Sequence, residues 1–290
     1  MIVVKLKGGL GNQLFQYCSG YALGEKYRQG VVYDISSFQH GSAHPGITKQ
    51  KYQLNNILNT NIIITDSKKL PLTAQLLDNN YINKLFRILK ICNFRIGNWN
   101  YILQNRSKDK VDIPDSFDNI VLDGYWQNLS WFEKYKDHIS NQIQFKNIGN
   151  GAQKLVEKEI TLNSVAIHVR RTDLLSDNAN IQNGDYYKKS LDYILNKTPN
   201  PYFFVFSDDI GWCKDNLFKE YNHLSNKIIY SDNRTAEEDL FCMMNCKHNI
   251  IAHSTFSWWA AWLNRNNNQI VISPKFGERK DIIPKNWIVF

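Results

Sequence analysis

The chain has 290 residues, 43% of them hydrophobic and 21% charged, with a formal net charge of +8. These proportions exclude a disordered chain, no apolar run reaches the ~18 residues of a membrane span, and the length admits two domains or one large one. Five cysteines, an odd number with no C-x-x-C pair, exclude a disulfide framework and zinc-finger spacing.

The opening Met1-Ile2-Val3-Val4-Lys5-Leu6-Lys7 is too short and too alternating for a signal peptide, and reads as a first strand. A cytoplasmic protein is expected; the positive charge leaves open a peripheral attachment at the inner face of the membrane. A Gly-rich turn, Gly8-Gly9-Leu10-Gly11-Asn12-Gln13, leads into a helix over 14–27 and a second strand at 31–33. That order is a βαβ unit and predicts a parallel sheet. Helical pieces are expected over 68–77 and 82–91, a strand at 120–122 and a helix over 131–139. Gly149-Asn150-Gly151 marks the expected boundary between an acceptor-side domain, 1–150, and a nucleotide-binding domain, 151–290.

Beyond 151 the alternation is regular: strands at 164–169, 202–206, 227–230, 249–252 and 269–272, with helices at 185–195, 211–218, 236–246 and 256–263 between them. The expected fold class is α/β, as two Rossmann-like domains facing across a cleft (GT-B-like). Polar clusters follow the strands: Arg170-Arg171-Thr172-Asp173, Ser207-Asp208-Asp209, Ser231-Asp232-Asn233 and His253-Ser254-Thr255. Parallel strands place all four on one sheet edge, where open α/β sheets bind ligands.

The run Ile167-His168-Val169-Arg170-Arg171 delivers two guanidiniums to a strand end. Arg stays protonated and offers a fixed fork of donors, which suits a phosphate or carboxylate; surface ion pairs are the plainer reading. Ser254, Thr255, Phe256 and Ser257 would open a helix whose free N–H groups and dipole favour an anion, and Ser254 or Thr255 could equally be a simple N-cap. Asp208 could accept the paired donors of a guanine edge, whereas Asp209 is expected to cap the helix near Gly211. Thr235 and Glu238 spell a capping box. Cys242 and Cys246, one helical turn apart, read as core instead of metal ligands.

Absences narrow the chemistry. Leu14 stands where a dinucleotide fingerprint needs its third Gly, and there is no D-x-D, H-E-x-x-H, G-x-x-x-x-G-K-[ST] or G-x-S-x-G. Nicotinamide, NTPase, esterase and D-x-D metal-bound readings are disfavoured, so cationic side chains must neutralise any diphosphate.

The motifs G-G-L-G-N-Q-L-F-Q, Asp123-Gly124-Tyr125-Trp126-Gln127, H-V-R-R-T-D and C-K-H-N-I-I-A-H-S-T-F-S-W-W-A-A-W-L-N closely resemble glycosyltransferase family 11, the galactoside α-1,2-fucosyltransferases. The resemblance implies metal-independent, inverting transfer of L-fucose from GDP-fucose to the 2-hydroxyl of a terminal galactose, on an oligosaccharide or lipid-linked glycan. No cofactor is implied. Carried over, Arg170 meets the β-phosphate, His168 lies near the nucleotide, Asp208 reads guanine and Ser257 contacts phosphate. Asn12 lines the fucose side, with Gly9 and Gly11 allowing close backbone approach to the donor. Leu174 departs from the α-1,6 relatives, which carry Lys there, so their catalytic scheme does not transfer whole.

Catalytic candidates are therefore Arg170, Asn12 and, as general base, Asp173; Asp34 or a base-free dissociative path are the alternatives. Acceptor candidates are Gln13, Asp34, Tyr125 and Trp126, the aromatics as platforms for a sugar face. A non-catalytic nucleotide- or glycan-binding protein is the reading of a different class. An RNA-binding protein is disfavoured because Lys and Arg are scattered.

Overall fold

A computed structural model describes residues 1–39, 50–75, 81, 85, 88–89, 91–104, 111–160, 163–171, 185–231, 234–277 and 280–290. The chain divides into two compact units, Met1–Gln144 and Phe145–Phe290. The expected boundary glycines fall inside the second unit: the Gly149 N–H donates to Glu238 at 3.0 Å, and the Phe145 ring packs edge-on against Phe241.

The first unit holds strands β1 (Ile2–Lys5), β2 (Val31–Asp34), β3 (Ile63–Thr65), β4 (Asn93–Ile96), β5 (Trp99–Leu103) and β6 (Asn119–Asp123). They form one sheet in the order β3-β2-β1-β6-β5-β4, parallel except for the β4–β5 hairpin. An α-helix, Leu10–Tyr27, carries the chain from β1 to β2. Its length and position match the sequence reading, but Gln13, Gln16 and Ser19 on it are fully buried. Strands β3, β4 and β5 carry no clear sequence signal. β3 is three residues long at a sheet edge with both isoleucines exposed, and β4 and β5 are joined by a tight turn with Gly97 at φ +60°. The helix expected over 131–139 breaks into short 3-10 turns and one α-helix, Lys136–Gln142.

The second unit holds β7 (Ser164–Val169), β8 (Tyr202–Ser207), β9 (Ile228–Tyr230), β10 (His248–Ile250), β11 (Val271–Ser273) and β12 (Ile288–Val289), in the order β12-β11-β10-β7-β8-β9. All pairings are parallel, and β12 adds a sixth strand to the five expected. β7 is buried along its whole length. Its Val165, Ile167 and Val169 join Phe203 and Val205 against Tyr186, Tyr187, Leu191 and Ile194 of helix Asp185–Lys197. Each such fully buried side chain contributes about 1.5–3 kcal/mol. Helix Thr255–Leu263 buries Trp258, Trp259 and Trp262, whose rings stack and cross one another. The tryptophans are core, as their position in an apolar helix predicts.

The second sheet reverses its direction of growth once: the chain builds from β7 to β8 and β9, then returns beside β7 as β10 and builds outward the other way. In the first unit the chain builds outward from β1 to β2 and β3, restarts at the far edge with β4, and steps inward through β5 to β6, which closes against the other side of β1. Crevices of α/β sheets that bind ligands lie at such reversals, beyond the carboxyl ends of the strands. Among the described residues no helix is long and apolar enough to cross a membrane.

Candidate functional site

At the reversal of the second unit, Arg170 and Arg171 leave β7 directly opposite the His253-Ser254 turn that leaves β10, because β7 and β10 pair in register. The Arg170 Nε lies 3.3 Å from Asp208 Oδ2, with the Arg170 side chain 37% exposed and the Asp208 side chain 20%. The Arg171 backbone N–H donates to Asp208 Oδ1 at 2.9 Å. Asp208 thus grips the strand end at two points and presents the Arg170 fork in a fixed place.

Arg171 is spent differently. Its Nε donates to Asp209 Oδ2 at 3.1 Å and its guanidinium lies 4.1 Å from the centre of the Trp212 ring. Asp209 also caps the short helix after β8, accepting from the Trp212 N–H at 3.0 Å. That amide, with Arg171 beside it, holds the Asp209 carboxyl below its usual range. A stacked, ion-paired Arg171 is a structural group, whereas Arg170 retains exposed guanidinium surface.

Across the crevice Ser254 caps helix Thr255–Leu263, accepting from the Phe256 N–H at 3.2 Å. Residues 253–256 are half-buried while Ser257 is fully buried. The Ser257 hydroxyl accepts from the Ala252 N–H at 3.2 Å and donates to the Ser254 carbonyl at 3.5 Å. Ser257 therefore braces the turn from within, which differs from the phosphate contact expected of its hydroxyl. The accessible part of this helix end is Ser254–Phe256; the Ser254 N–H donates to the Ala252 carbonyl at 2.7 Å and the Phe256 N–H to the Ser254 hydroxyl, so what it offers an anion is the positive end of the helix dipole. His168 points from β7 to this side, its ring 5.7 Å from Phe256.

Two tyrosines absent from the sequence-derived site hold the crevice together. The Tyr186 hydroxyl lies 2.7 Å from the Ile251 carbonyl and 3.0 Å from the Ile272 carbonyl, and the Tyr187 hydroxyl donates to the His168 carbonyl at 3.0 Å. Both rings belong to the core, so their polar tips tie the carboxyl ends of β7, β10 and β11 to one helix. Nothing in a Tyr-Tyr pair at a helix start separates this from ordinary packing.

Ser231 is also committed: its hydroxyl donates to Asp239 at 2.6 Å and accepts from Arg234 at 2.9 Å, and burial pushes the Asp239 carboxyl up. Thr235 and Glu238 form the expected capping box. Cys242 faces the Ala152 carbonyl, and burial pushes its thiol up to about 12, a core environment. Thr172, Asp173, Leu174 and Asp232 lie outside the described residues.

The first unit's junction between β1 and β6 is built from amides and the Lys7–Asp123 ion pair. Lys7, after β1, pairs with Asp123 at the end of β6, and its ammonium lies 5.3 Å from the Tyr125 ring centre. Gln16 receives the Lys7 N–H at 2.9 Å and donates to the Gly124 carbonyl at 2.9 Å. Gln104 Oε1 accepts from both Tyr125 and Trp126 N–H groups, at 2.9 and 2.8 Å. Gln127 donates to Asn12 Oδ1 at 2.8 Å. Two glycines are required. Gly8 sits at φ +79°, and a Cβ on Gly124 would meet Gln104 at 2.5 Å and the Trp126 ring at 2.9 Å.

This frame places the expected residues unevenly. Gly9 is the half-buried N-cap position of helix Leu10–Tyr27, and Asn12 is half-buried on its first turn, but Gly11 is buried. Three residues expected on the acceptor are turned inward. Gln13 is fully buried and its amide is used up on the Gly8 and Lys51 carbonyls and the Gln53 N–H. Asp34 is 1% exposed, paired with Lys5 at 2.9 Å and accepting from the Ser36 N–H. Trp126 is 1% exposed with a left-handed backbone, φ 52°, and stacks on Trp131. A sugar platform needs an accessible ring, and of the two aromatics Tyr125 is the half-buried one, with the Lys7 ammonium over its ring.

The whole chain, residues 1–290, matches the family model described as glycosyl transferase family 11. It is 29% identical to an α-1,2-colitosyltransferase of Escherichia coli over 299 residues, covering 99% of this chain and 98% of that one. It is 31% identical to the O-antigen biosynthesis glycosyltransferase WbnK of Escherichia coli, covering 93% and 92%. Among solved structures it resembles the NodZ α-1,6-fucosyltransferase co-crystallised with GDP, with a TM-score of 0.53, 13% identity and 94% of each chain covered. At that identity the likeness speaks for the α/β fold alone. The family match spans both sheets, and the chain belongs to glycosyl transferase family 11.

Proposed function

We propose that the chain transfers L-fucose from GDP-fucose to the 2-hydroxyl of a terminal galactose, with inversion and without a metal ion. The observation that carries this reading is the Arg170 fork at the β7–β10 reversal, opposite the half-buried helix end at Ser254–Phe256. A nucleoside diphosphate is a good leaving group and needs no proton. As the bond from the sugar C1 to the β-phosphate oxygen lengthens, positive charge grows on the ring and negative charge on the diphosphate. A preorganised guanidinium and the positive end of the helix dipole stabilise that negative charge where it develops. The galactose hydroxyl attacks C1 from the opposite side, which inverts the anomeric centre, and its proton leaves to a base or to solvent.

For the base, Asp173 is the proposal. Asp34, held by Lys5 and the Ser36 N–H in the interior, is poorly disposed to take a proton from a sugar. In Asp173→Asn, loss of the acidic limb of the pH–rate profile supports the assignment; an unchanged limb with retained rate removes it. Asp208 was expected to read guanine. Its grip on Arg170 and on the Arg171 amide supports a different part, orienting the phosphate-binding fork, because guanine and β-phosphate stand at opposite ends of GDP. Asn12 beside the donor sugar, and Tyr125 against an oligosaccharide or lipid-linked galactoside, complete the proposal, with the cytoplasm as its place of work.

A second donor is favoured by one finding, the 29% identity over nearly the full chain to an α-1,2-colitosyltransferase. Colitose is fucose without its 3-hydroxyl, so the same diphosphate seat serves both. Incubating the pure protein with GDP-fucose or GDP-colitose and a panel of galactosides, with EDTA present, tests both readings. Galactoside-dependent GDP release with an α-1,2 linkage in the product is expected. Another linkage, a requirement for divalent metal, or turnover with GDP-colitose alone rejects the corresponding part.

A further inference from the structure

Away from the β1–β6 and β7–β10 junctions, exposed apolar side chains are unevenly distributed. Ten large hydrophobic residues are exposed among the described residues, and seven of them fall between positions 63 and 89. Single exposed apolar residues are ordinary, but a concentration in one segment marks an interaction surface. The most exposed are Tyr81 at 86% and Leu72 at 78%, with Leu85, Ile88 and Leu89 each half exposed or more. Tyr81, Leu85 and Ile88 are helical, and the Leu89 N–H donates to the Leu85 carbonyl at 2.9 Å. On an α-helix, spacings of four, seven and eight residues from Tyr81 share one face.

Charge identifies the occupant. From position 79 to 90 the sequence carries Lys84, Arg87 and Lys90 and no acidic residue, and the earlier turn carries Lys68 and Lys69, both exposed, against Asp66 and Asp78. A second copy of the chain, itself at +8, would meet this segment with like charge. An apolar helical face set among cations of one sign matches the boundary between anionic headgroups and acyl chains.

We propose that Tyr81, Leu85, Ile88 and Leu89, with the basic residues of the same stretch and Lys68 and Lys69 earlier in the chain, dock the first unit on an anionic lipid bilayer. The assignment is independent of the donor and acceptor named above. Its test is sedimentation of the full chain with vesicles of phosphatidylglycerol and phosphatidylcholine, against vesicles of phosphatidylcholine alone. Binding is expected on the anionic vesicles and to fall by more than about a hundredfold in Leu85→Glu/Ile88→Glu, because two aliphatic side chains no longer enter the acyl boundary. Lys68→Gln/Lys69→Gln is expected to weaken it roughly fivefold per charge removed. All four side chains are exposed or outside the core, so both variants should keep the parent melting temperature. Absence of vesicle binding, equal binding to neutral vesicles, or binding unchanged in the Leu85/Ile88 variant overturns the proposal. So does a concentration-dependent dimer that Leu85→Glu/Ile88→Glu dissolves while vesicle binding is nil.

Discussion

The two units solve one backbone problem with opposite chemistry. Each is a six-stranded sheet whose first strand sits inside it, beside a strand from later in the chain. At the first of these junctions, between β1 and β6, Lys7 is neutralised by Asp123, and the turns are held by the amides of Gln16, Gln104 and Gln127. At the second, Asp208 and Asp209 hold two guanidiniums at a strand end, and one of these, Arg170, keeps exposed surface. Topology sets where a ligand binds, while the side chains leaving the strands set whether it is a neutral hydroxylated molecule or an anion.

The largest expected effect breaks the second unit alone. Arg170→Lys keeps the charge and loses the fork, so transfer should fall about a hundred- to a thousandfold, by analogy with the loss of a single transition-state donor. Steady-state kinetics with donor and galactoside check it, and near-parental turnover would remove Arg170 from the diphosphate. The matching change in the first unit, Gln104→Ala, strands two amide N–H groups of the Tyr125-Trp126 turn. It should cost roughly 1–3 kcal/mol in urea unfolding and raise KM for the galactoside while leaving GDP affinity untouched; a weakened GDP affinity would dissolve the contrast between the units.

A smaller effect is readable as pH dependence. Burial, with Lys247 adding to it, lowers His248 from its usual 6.5 to about 4, and its Nδ1 accepts from the Ile270 N–H at 2.9 Å. The unfolded chain binds this proton more readily. Stability is therefore complete above about pH 6.5 and is lost as pH falls toward 4, by roughly 1–3 kcal/mol. Urea unfolding at pH 7 and pH 4.5 should show the loss in the parent and a smaller one in His248→Gln; equal losses would assign it to other groups. The smallest effect concerns Asp208→Asn. Its ion pair is partly solvated, so stability should change by less than about 1 kcal/mol, while kcat falls several-fold through a loosened Arg170. Intact kcat with lost preference for guanine over other bases would return Asp208 to guanine recognition.

Much of this was legible in the sequence where a residue's role depends on its neighbours in the chain. The strand–helix alternation after 151 matches β7 to β11 closely, because parallel strands buried on both faces are continuous apolar runs. The Thr235–Glu238 capping box and the Asp209 cap are local hydrogen bonds, and so are written in short spacings. Arg170 and the Ser254 turn were legible because each ends a strand. What was hidden depends on partners far along the chain. Gln13 reads as a ligand donor until Lys51 and Gln53 claim its amide, and Asp34 reads as a base until Lys5 pairs with it. Gln104, 21 residues from Tyr125, carries no signal, and short edge strands such as β3 present too few residues to show a period.

The most direct measurement is the position of GDP in a crystal of the parent chain grown with the nucleotide and EDTA. The diphosphate is predicted within hydrogen-bond distance of the Arg170 guanidinium and beside the Ser254–Phe256 end of the helix. Nucleotide seated at another sheet edge, or a diphosphate that leaves Arg170 untouched, would contradict the account.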